Sequence, residues 1–380
     1  MEKNLTDSVS IIVPIYHGKK YLPKLVEMAE VCKEKAGVHV KVELILSNDD
    51  LDMCIEDGYF SELVDIRVLN TEVNRGIQGA RLRGLEASKG TYIVFLDQDD
   101  ILYPDYISSQ LAYMENADAV VCRCVHENRQ FYDADRQFEE VIRKEYMMEK
   151  GNPIISTGQV LMRRTSIPGV WMENIMETNC ADDYLLWLCM AAEGKAFALN
   201  QDIVFEHVVN GENVSLDIRR ELRSLDEMCE VLSRNKVFDA QGMHQLRGMR
   251  EHVLFERIGL LEKFREMFLV LDRLAVCREA GFPVGKRLFL DGIRCAAIYG
   301  DGYIGKRLMG ELKEHNIQTV FFIDRNAEYL QEEVPVYQLE HAPRDVDAVI
   351  ISLVRNYDTV EKALRDRYQA RIYTLRELTE

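Results

Sequence analysis

The sequence predicts an α/β protein in which two separate α/β units are joined by a helical connector. Within the first 125 residues, short β-rich runs alternate with helical segments, which is the pattern of a mostly parallel sheet covered by helices. Residues 126–215 are less regular, and residues 216–290 are almost entirely helical in period and rich in Arg, Glu, Leu and Met. The strand and helix alternation then restarts at about residue 291. We therefore divide the chain into residues 1–215, 216–290 and 291–380.

The elements of the first unit are predicted from its apolar runs and helix stop signals. Gly37 and Gly90 are expected to end the first two helices, because glycine is the common residue just after a helix C-terminus. Strands are expected at residues 9–16, 41–47, 65–70, 91–97 and 196–209, and helices at 19–37, 74–90 and 180–195.

Composition excludes several classes of protein. The chain has 380 residues, 47% of them hydrophobic, and a net charge of −17 that would repel a nucleic-acid backbone. Its start has no cleavable signal layout, and no apolar run approaches the roughly 18 residues that a membrane span needs. Nine cysteines include no C-x-x-C pair, so neither a disulfide framework nor a zinc site is indicated. We expect a cytoplasmic protein, with the inner face of the membrane as an alternative location.

Acidic clusters follow two of the predicted strands. SNDD occupies residues 47–50 and DQDD occupies residues 97–100. In an open parallel sheet, ligands bind outside the carboxyl ends of the strands. Mg²⁺ and Mn²⁺ prefer one or two carboxylates together with phosphate oxygens, so a bound cation would relieve the repulsion among Asp97, Asp99 and Asp100. The alternative is that these aspartates begin a turn and cap the helix that follows.

Four segments, in this order, resemble the inverting family 2 glycosyltransferases, which have the GT-A nucleotide-diphospho-sugar transferase fold. They are VSIIVPIYHGKKYLPKLVEMAE, VELILSNDD, NRGIQGARLRGLEASKGTYIVFLDQDD and ADDYLLWLCM, and the resemblance covers residues 8–215. It implies that Pro14, Ile15 and Tyr16 lie along the base and ribose of a donor nucleotide. It also implies that Asp49 holds the edge of the base.

The same resemblance implies roles for three further aspartates. Asp97 would lie on the ribose side, Asp99 would contact a divalent metal, and Asp183 would be the catalytic base. Such a reaction develops negative charge on the leaving diphosphate, which a divalent ion stabilises. The acceptor hydroxyl needs a carboxylate to take its proton, and base and leaving group on opposite sides of the anomeric carbon give inversion. The alternative is that Asp182 and Asp183 are first-turn acids stabilised by a helix dipole.

Arginines and a histidine complete the expected site. Arg75 or Arg81 would steady the diphosphate, whereas the alternative is that Arg75, Arg81 and Arg83 form a solvated helix face. His207 resembles the histidine that lies near the metal and diphosphate in some family members; the alternative is a structural histidine after a strand.

The sequence also departs from the family pattern near the base and ribose. Asn48 and Asp50 flank Asp49, and the usual Gly-Ser does not follow. Leu82 stands where an asparagine is common. These departures leave the D-x-D pair unaffected.

The last unit carries a different motif. GDGYIG places Gly300, Gly302 and Gly305 between a predicted strand and a predicted helix, and Asp324 ends the next strand. This is the layout of the dinucleotide fingerprint, and residues 291–380 resemble the Rossmann-like domains appended to sugar-modifying enzymes. The alternative is a structural or oligomerising module that uses its glycines for tight packing of helix against sheet.

The favoured function is a metal-dependent inverting glycosyltransferase of the hexosyltransferase type. It would use Mn²⁺ or Mg²⁺ and move a sugar from a nucleoside-diphosphate donor, with a UDP-sugar favoured. The acceptor would be a hydroxyl of a saccharide or glycan, free or lipid-linked, in bacterial surface polysaccharide synthesis, and a homo-oligomer is a further expectation. The alternative is a nucleotide-sensing or assembly protein that acts through its last unit. An NAD-dependent oxidoreductase would need a catalytic set after the glycines that the sequence does not supply.

Overall fold

The structure is a computed structural model of the whole chain. It describes residues 7–379 apart from residues 57, 60, 128, 133–137, 210–216, 328–333 and 356. Two compact units divide the chain, Met1–Leu254 and Phe255–Glu380. Residues of the predicted connector 216–290 fall in both units, and the three-part division of the chain stays a prediction.

The N-terminal unit is built around one sheet that mixes parallel and antiparallel strands. Its strand order is β3-β2-β1-β4-β8-β6-β9-β5, with β7 paired to β6. The strands are β1 (Ser8–Ile15), β2 (Lys41–Asn48), β3 (Asp65–Leu69), β4 (Tyr92–Phe95), β5 (Ile101–Leu102), β6 (Ala119–His126), β7 (Arg129–Gln130), β8 (Val160–Arg163) and β9 (Phe197–His207). The helices are α1 (Leu22–Ala36), α2 (Gly76–Ala87), α3 (Tyr106–Leu111), α4 (Lys144–Lys150), α5 (Gly169–Glu173), α6 (Asp182–Ala192) and α7 (Ile218–Arg234).

The parallel half of this sheet follows directly from its sequence. Strands β3, β2, β1 and β4 run parallel to one another. In β1 every residue from Val9 to Ile15 is buried, because a parallel strand covered on both faces has no solvent side. The continuous apolar runs of the sequence therefore predicted these strands correctly.

Gly37 and Gly90 differ in outcome. Gly37 follows α1 with a φ of +84°, and its N–H bonds carbonyls of the last helical turn, so it ends the helix as predicted. The prediction for Gly90 was wrong, because α2 ends at Ala87 and Ser88 caps it. The Gly90 N–H instead bonds the side chain of Ser10 on β1, at 2.8 Å.

The C-terminal unit has a second, fully parallel sheet with the order β12-β11-β10-β13-β14. Numbered within the unit this order is 3-2-1-4-5, the arrangement of a doubly wound Rossmann sheet. The predicted Rossmann-like α/β architecture is thus confirmed. Its elements are α9 (Val284–Leu290), β10 (Cys295–Tyr299), α10 (Tyr303–Glu314), β11 (Gln318–Ile323), β12 (Val336–Tyr337), β13 (Ala348–Ile351), α11 (Asp358–Arg367), β14 (Arg371–Thr374) and α12 (Leu375–Thr379).

One long helix, α8 (Ala240–Glu279), contributes residues to both units. Neither this helix nor any other in the described part of the chain is long and apolar enough to cross a membrane.

Candidate active site

The carboxyl ends of three neighbouring strands bring the predicted donor residues to one edge of the N-terminal sheet. Ile15 pairs with Asn48 at the ends of β1 and β2, and the Asp49 N–H bonds the Ile15 carbonyl at 2.8 Å. Strand β4 lies on the other side of β1 and runs into Asp97. Tyr16 is 52% exposed at this edge. The structure therefore brings Tyr16, Asp49 and Asp97 to the ligand-binding edge of an open sheet.

Arg81 of α2 joins two acidic segments that are far apart in the sequence. Its guanidinium donates to Asp97 Oδ1 and to Asp182 Oδ2, both at 2.6 Å. Arg81 and Asp182 are both buried. Although burial favours the neutral form, the charges of Asp97 and Asp182 raise the pKa of Arg81 above its usual range. The solvated-face alternative is therefore wrong for Arg81.

Asp183 has a different environment from its neighbour Asp182. Its side chain is partly exposed at the start of α6, accepts from the Asn152 amide at 2.9 Å, and also accepts from the Tyr184 N–H. Burial, reinforced by the Asp182 charge, raises the pKa of Asp183 to about 7. Asp182 is bound by Arg81, whereas Asp183 has a carboxylate that can exchange a proton near neutral pH.

Asp49 is held by α2 as well. It is buried, and it accepts from the Arg75 backbone N–H at 3.2 Å and from the Arg83 guanidinium at 3.3 Å. Burial raises the pKa of Asp49, against the opposing effects of Arg75 and Arg83. Arg83 also donates to the Asn48 carbonyl at 2.8 Å, so the solvated-face alternative is wrong for Arg83 too. The Arg75 side chain is exposed and forms no ion pair with any described residue.

The departures from the family pattern have structural roles. The Asn48 amide donates to Asn70 Oδ1 at 2.9 Å and to the Met53 carbonyl, which holds the loop after β2. The buried Asp50 accepts from the backbone and the ring of His17. Despite its burial, hydrogen bonds from the Asp52 N–H and from His17 lower the pKa of Asp50. Both polar side chains therefore fix the backbone on either side of Asp49.

Gln98, the middle residue of the D-x-D stretch, connects it to the loop after β1. Its side-chain amide accepts from the Tyr16 N–H at 3.1 Å and donates to the Tyr16 carbonyl at 2.9 Å. A Cβ at Gly18 would lie 1.9 Å from Gln98 Oε1, so the glycine leaves room for this contact. The backbone position of Tyr16 is thereby coupled to the acidic loop.

Asp100 and His207 connect the acidic loop to the end of β9. Asp100 is buried and accepts from the Ser156 hydroxyl at 2.7 Å and from the Val208 N–H at 3.0 Å. Burial, together with the Asp97 charge, raises the pKa of Asp100 well above its usual range. His207 Nδ1 lies 2.9 Å from His126 Nδ1, and burial and the His126 ring lower the pKa of His207.

These residues can accommodate a cation only in part. Among the described residues, no three His, Cys, Asp or Glu side chains converge as a metal site. Asp100 accepts from Ser156 and Val208, and one Asp97 oxygen accepts from Arg81; the Asp99 side chain is partly exposed. The donor set therefore fits an ion bound by one or two carboxylates plus ligand phosphates, and not an all-protein cage.

Comparison with known proteins gives the family. Residues 10–168 match the family described as "Glycosyl transferase family 2". The matched segment spans 159 of the 380 residues and lies within the N-terminal unit, which is therefore similar to this family. The predicted α/β fold class is confirmed.

Relatives of this chain include an uncharacterized glycosyltransferase of Haemophilus influenzae. It is 29% identical over 210 residues, which span 52% of the chain and 76% of that protein. The minor teichoic acid biosynthesis protein GgaB of Bacillus subtilis is 33% identical over 106 residues, which span 27% of the chain and 11% of GgaB. The chain spans about a third of the length of several other curated relatives, so their whole activities do not transfer with the match. The solved structure of S. aureus TarS 1–349 in complex with UDP-GlcNAc matches with a TM-score of 0.44 at 14% identity, covering 64% of this chain and 71% of that one.

Helix α7 fixes the loop that leads into Asp182 and Asp183. The Ser224 hydroxyl is fully buried, accepts from the Ala181 N–H at 2.9 Å and donates to the Thr178 carbonyl at 2.7 Å. The Glu227 carboxylate accepts from two further backbone N–H groups of this loop. Sequence reasoning placed α7 in a connector and missed these residues, because nothing local to Ser224 indicates a partner more than 40 residues away.

The glycine motif of the C-terminal unit splits into two kinds of position. Gly300 has a φ of +99°, and a Cβ at Gly305 would lie 2.1 Å from the Gly300 carbonyl oxygen, so backbone geometry accounts for both. A Cβ at Gly302 would meet open space. Asp324 accepts from the backbone N–H of Asp301 at 3.0 Å. The packing alternative thus explains two of the three glycines.

Proposed function

We propose that the N-terminal unit transfers a hexose from a nucleoside-diphosphate sugar to an acceptor hydroxyl in one inverting displacement. The observation that carries this proposal is the Arg81 bridge, because one buried guanidinium holds the D-x-D stretch and the Asp182–Asp183 pair together. The donor edge of the sheet and the candidate base therefore belong to one electrostatic cluster.

Asp183 is the base in this proposal. Its carboxylate would take the proton of the acceptor hydroxyl as that oxygen attacks the anomeric carbon. A base with a pKa near the working pH is both deprotonated and able to hold the proton, and the pKa of Asp183 is about 7. Asn152 would orient the carboxylate through its hydrogen bond to Oδ2.

The donor nucleotide would lie at the ends of β1, β2 and β4. Tyr16 presents the exposed ring, whereas the side chain of Ile15 is buried and that of Pro14 lies within the strand, so these two would contribute through the backbone. Asp49 would accept from the base edge, which favours a UDP-sugar. The Arg75 guanidinium is exposed, forms no ion pair with a described residue, and would contact the diphosphate.

A divalent ion, Mn²⁺ or Mg²⁺, would supply charge stabilisation for the leaving diphosphate when bound. Asp99 would hold it, with His207 as a further ligand because its imidazole is kept neutral. Asp99→Asn should abolish the Mn²⁺-dependent rise in melting temperature with UDP, whereas metal-independent melting stays unchanged. Unchanged Mn²⁺ dependence in that variant would remove Asp99 from the site.

The acceptor would be a saccharide or glycan hydroxyl, free or lipid-linked, in bacterial surface polysaccharide synthesis. Similarity to GgaB, a minor teichoic acid biosynthesis protein, supports this acceptor class. The inner face of the cytoplasmic membrane would then be the place of action.

The deciding experiment measures release of nucleoside diphosphate from a panel of sugar nucleotides with mixed glycan acceptors. Asp183→Asn should lose at least about 100-fold in transfer while the donor still raises the melting temperature. Asp105→Asn removes an exposed carboxylate of the same unit and serves as the matched control. Near-normal transfer in Asp183→Asn would overturn the assignment of the base.

A nucleotide-sensing role of the C-terminal unit is the second candidate. Gly302 favours this role, because a Cβ at this position would meet open space and packing therefore does not explain the glycine. Gly302 also lies at the start of a helix that follows a strand of the 3-2-1-4-5 sheet.

A further inference from the structure

The loop after β1 carries a histidine in an uncommon backbone conformation. His17 has a φ of +50°, in the left-handed region that few residues other than glycine adopt. Such residues cluster at functional sites, where the surrounding structure holds them. The His17 backbone N–H donates to Asp50 Oδ2 at 3.1 Å, and its ring Nδ1 lies 2.8 Å from the same oxygen. One carboxylate therefore fixes both the backbone and the side chain of His17.

His17 and Tyr16 form an exposed pair of rings at the donor edge of the N-terminal sheet. Their ring centroids are 4.1 Å apart. The His17 side chain is 64% exposed, and Tyr16 is 52% exposed. Gln98 after β4 holds the Tyr16 backbone, and Asp50 after β2 holds His17. Side chains from both neighbours of β1 thus order this loop in advance, which lowers the entropic cost of binding a ligand there.

The contact with Asp50 determines which nitrogen of the His17 ring carries the proton. Despite the burial of Asp50, hydrogen bonds from the Asp52 N–H and from His17 lower its pKa, so the carboxylate is ionised and can only accept. The neutral imidazole therefore donates from Nδ1 and has its lone pair on Nε2. Among the described residues, none donates a hydrogen bond to Nε2. This nitrogen is an acceptor that a ligand can use.

The chemistry of UDP limits what Nε2 can accept from. The phosphate oxygens are themselves acceptors and cannot bond a nitrogen lone pair. The hydrogen-bond donors of UDP are the uracil N3–H and the 2′- and 3′-hydroxyls of the ribose. In the function proposed above, Asp49 accepts from the base edge, which uses the N3–H. The ribose hydroxyls are the donors that remain for His17.

We propose that His17 recognises the ribose of the donor, with Nε2 accepting a hydrogen bond from a ribose hydroxyl. This inference rests on the proposed function, because it takes the nucleotide to lie along Tyr16. Asp50 is a positioning residue that acts through His17, since it keeps the proton on Nδ1 and the lone pair on Nε2. The donor site would therefore discriminate between ribose and deoxyribose.

The experiment measures the dissociation constants of UDP, 2′-deoxy-UDP and 3′-deoxy-UDP by calorimetry, with the full chain and Mn²⁺. The parent should bind at least one deoxy analogue about three- to tenfold more weakly than UDP, which is the effect of one hydrogen bond. His17→Asn should abolish this difference for one of the analogues. Asparagine tolerates the left-handed backbone, so the variant should fold.

Two further variants control for general effects of the substitution. His39→Asn makes the same change at an exposed histidine just before β2, at the amino end of that strand, and should keep the parent's preference for UDP. His17→Gly also accepts the left-handed backbone and lacks the ring, so it should behave like His17→Asn. A preference retained in His17→Gly would overturn the role of the ring.

Asp50→Asn tests whether the carboxylate acts through the ring. In ¹⁵N NMR of labelled histidine, the signal that His17→Asn removes should report the Nδ1–H tautomer in the parent and lose that uniform tautomer in Asp50→Asn. The affinity of Asp50→Asn for UDP should fall. The double variant should bind UDP no more weakly than His17→Asn alone, because the two residues act as a unit. Losses that add would overturn the positioning role of Asp50.

Two results would overturn the inference and can be distinguished from each other. If the parent binds UDP and His17→Asn keeps the parent's full preference over both deoxy analogues, the ribose is recognised by other residues and the proposed function stands. If the parent binds no UDP with or without Mn²⁺, the assignment of a UDP-sugar donor fails together with the inference.

Discussion

Both sheets have an acidic residue just after the carboxyl end of a parallel strand, but the two residues have different partners. In each, an acidic residue follows a parallel strand at its carboxyl end, Asp97 in the N-terminal sheet and Asp324 in the C-terminal sheet. The buried Arg81 guanidinium donates to Asp97 and also to Asp182, which lies about 100 residues after Arg81 in the sequence. Asp324 is bonded by backbone N–H groups of Asp301 and Asn326. The position at a strand end is thus common to both, and the long-range charged cluster distinguishes the candidate active site.

Removal of Arg81 should have the largest effect, because it takes the shared cation out of the candidate active site. Arg81→Met leaves Asp97 and Asp182 without their cation, and loss of one partner of a buried ion pair destabilises a protein by about 3–5 kcal/mol. The free energy of unfolding in urea measures the effect.

The C-terminal counterpart supplies the comparison for that variant. Asp324→Asn should cost only about 0.5–1.5 kcal/mol, because its partners are N–H groups of its own loops. Equal losses in Arg81→Met and Asp324→Asn would mean that the two strand ends are equivalent after all.

The pH dependence of transfer should report on Asp183, which belongs to the N-terminal unit. Because the base must be deprotonated and the pKa of Asp183 is about 7, the rate should fall about tenfold per pH unit below that value. Steady-state rates between about pH 5 and pH 9 test this expectation. A rate that stays flat through pH 7 would contradict it.

The free energy of unfolding should fall as the pH rises toward 7, whereas the rate of transfer should increase. The folded pKa of Asp183 lies above the usual carboxyl value near 3.9, so between the two values the folded state binds more protons and loses stability as pH rises. Asp183→Asn removes this loss, so its melting temperature should rise relative to the parent from about pH 4 to about pH 7 and stay level above that.

Ser224→Ala should have a smaller effect that is nonetheless specific to the N-terminal sheet. It leaves the buried Ala181 N–H and Thr178 carbonyl unpaired, which costs about 1–3 kcal/mol. The turnover number should fall while the KM for the donor stays the same, since the loop carries the proposed base and not the proposed donor edge. Ser233→Ala, at an exposed position of the same helix, is the control. A changed donor KM would show that α7 acts elsewhere.

Gly302→Val should have the smallest effect on transfer. Its Cβ enters open space, so the fold is retained, and transfer should stay within a few-fold of the parent. Calorimetry with NAD gives the sharper comparison, because tight binding that this variant removes would make the C-terminal sheet a cofactor site. Loss of transfer in a folded variant of unchanged mass would place that sheet in the active machinery.

Local sequence patterns were sufficient for some features and insufficient for others. The strands β1, β2 and β4 were predictable because buried parallel strands are continuous apolar runs. Arg81 was ambiguous because a buried arginine and a solvated one look alike on a helix, and only its distant partners distinguish them. The prediction for Gly90 was wrong for a similar reason, because its partner Ser10 is 80 residues away in the sequence.

Because α7 holds the loop before Asp182 through hydrogen bonds, it limits where this chain can be truncated or fused to another. A fragment that follows the family match and stops at residue 168 would keep the donor edge but lose α6, β9 and the Ser224 hydroxyl. Its Arg81 would be left with a single carboxylate partner. A minimal fragment, or a chimaera that receives another C-terminal unit, therefore has to keep the chain through the end of α7 at Arg234.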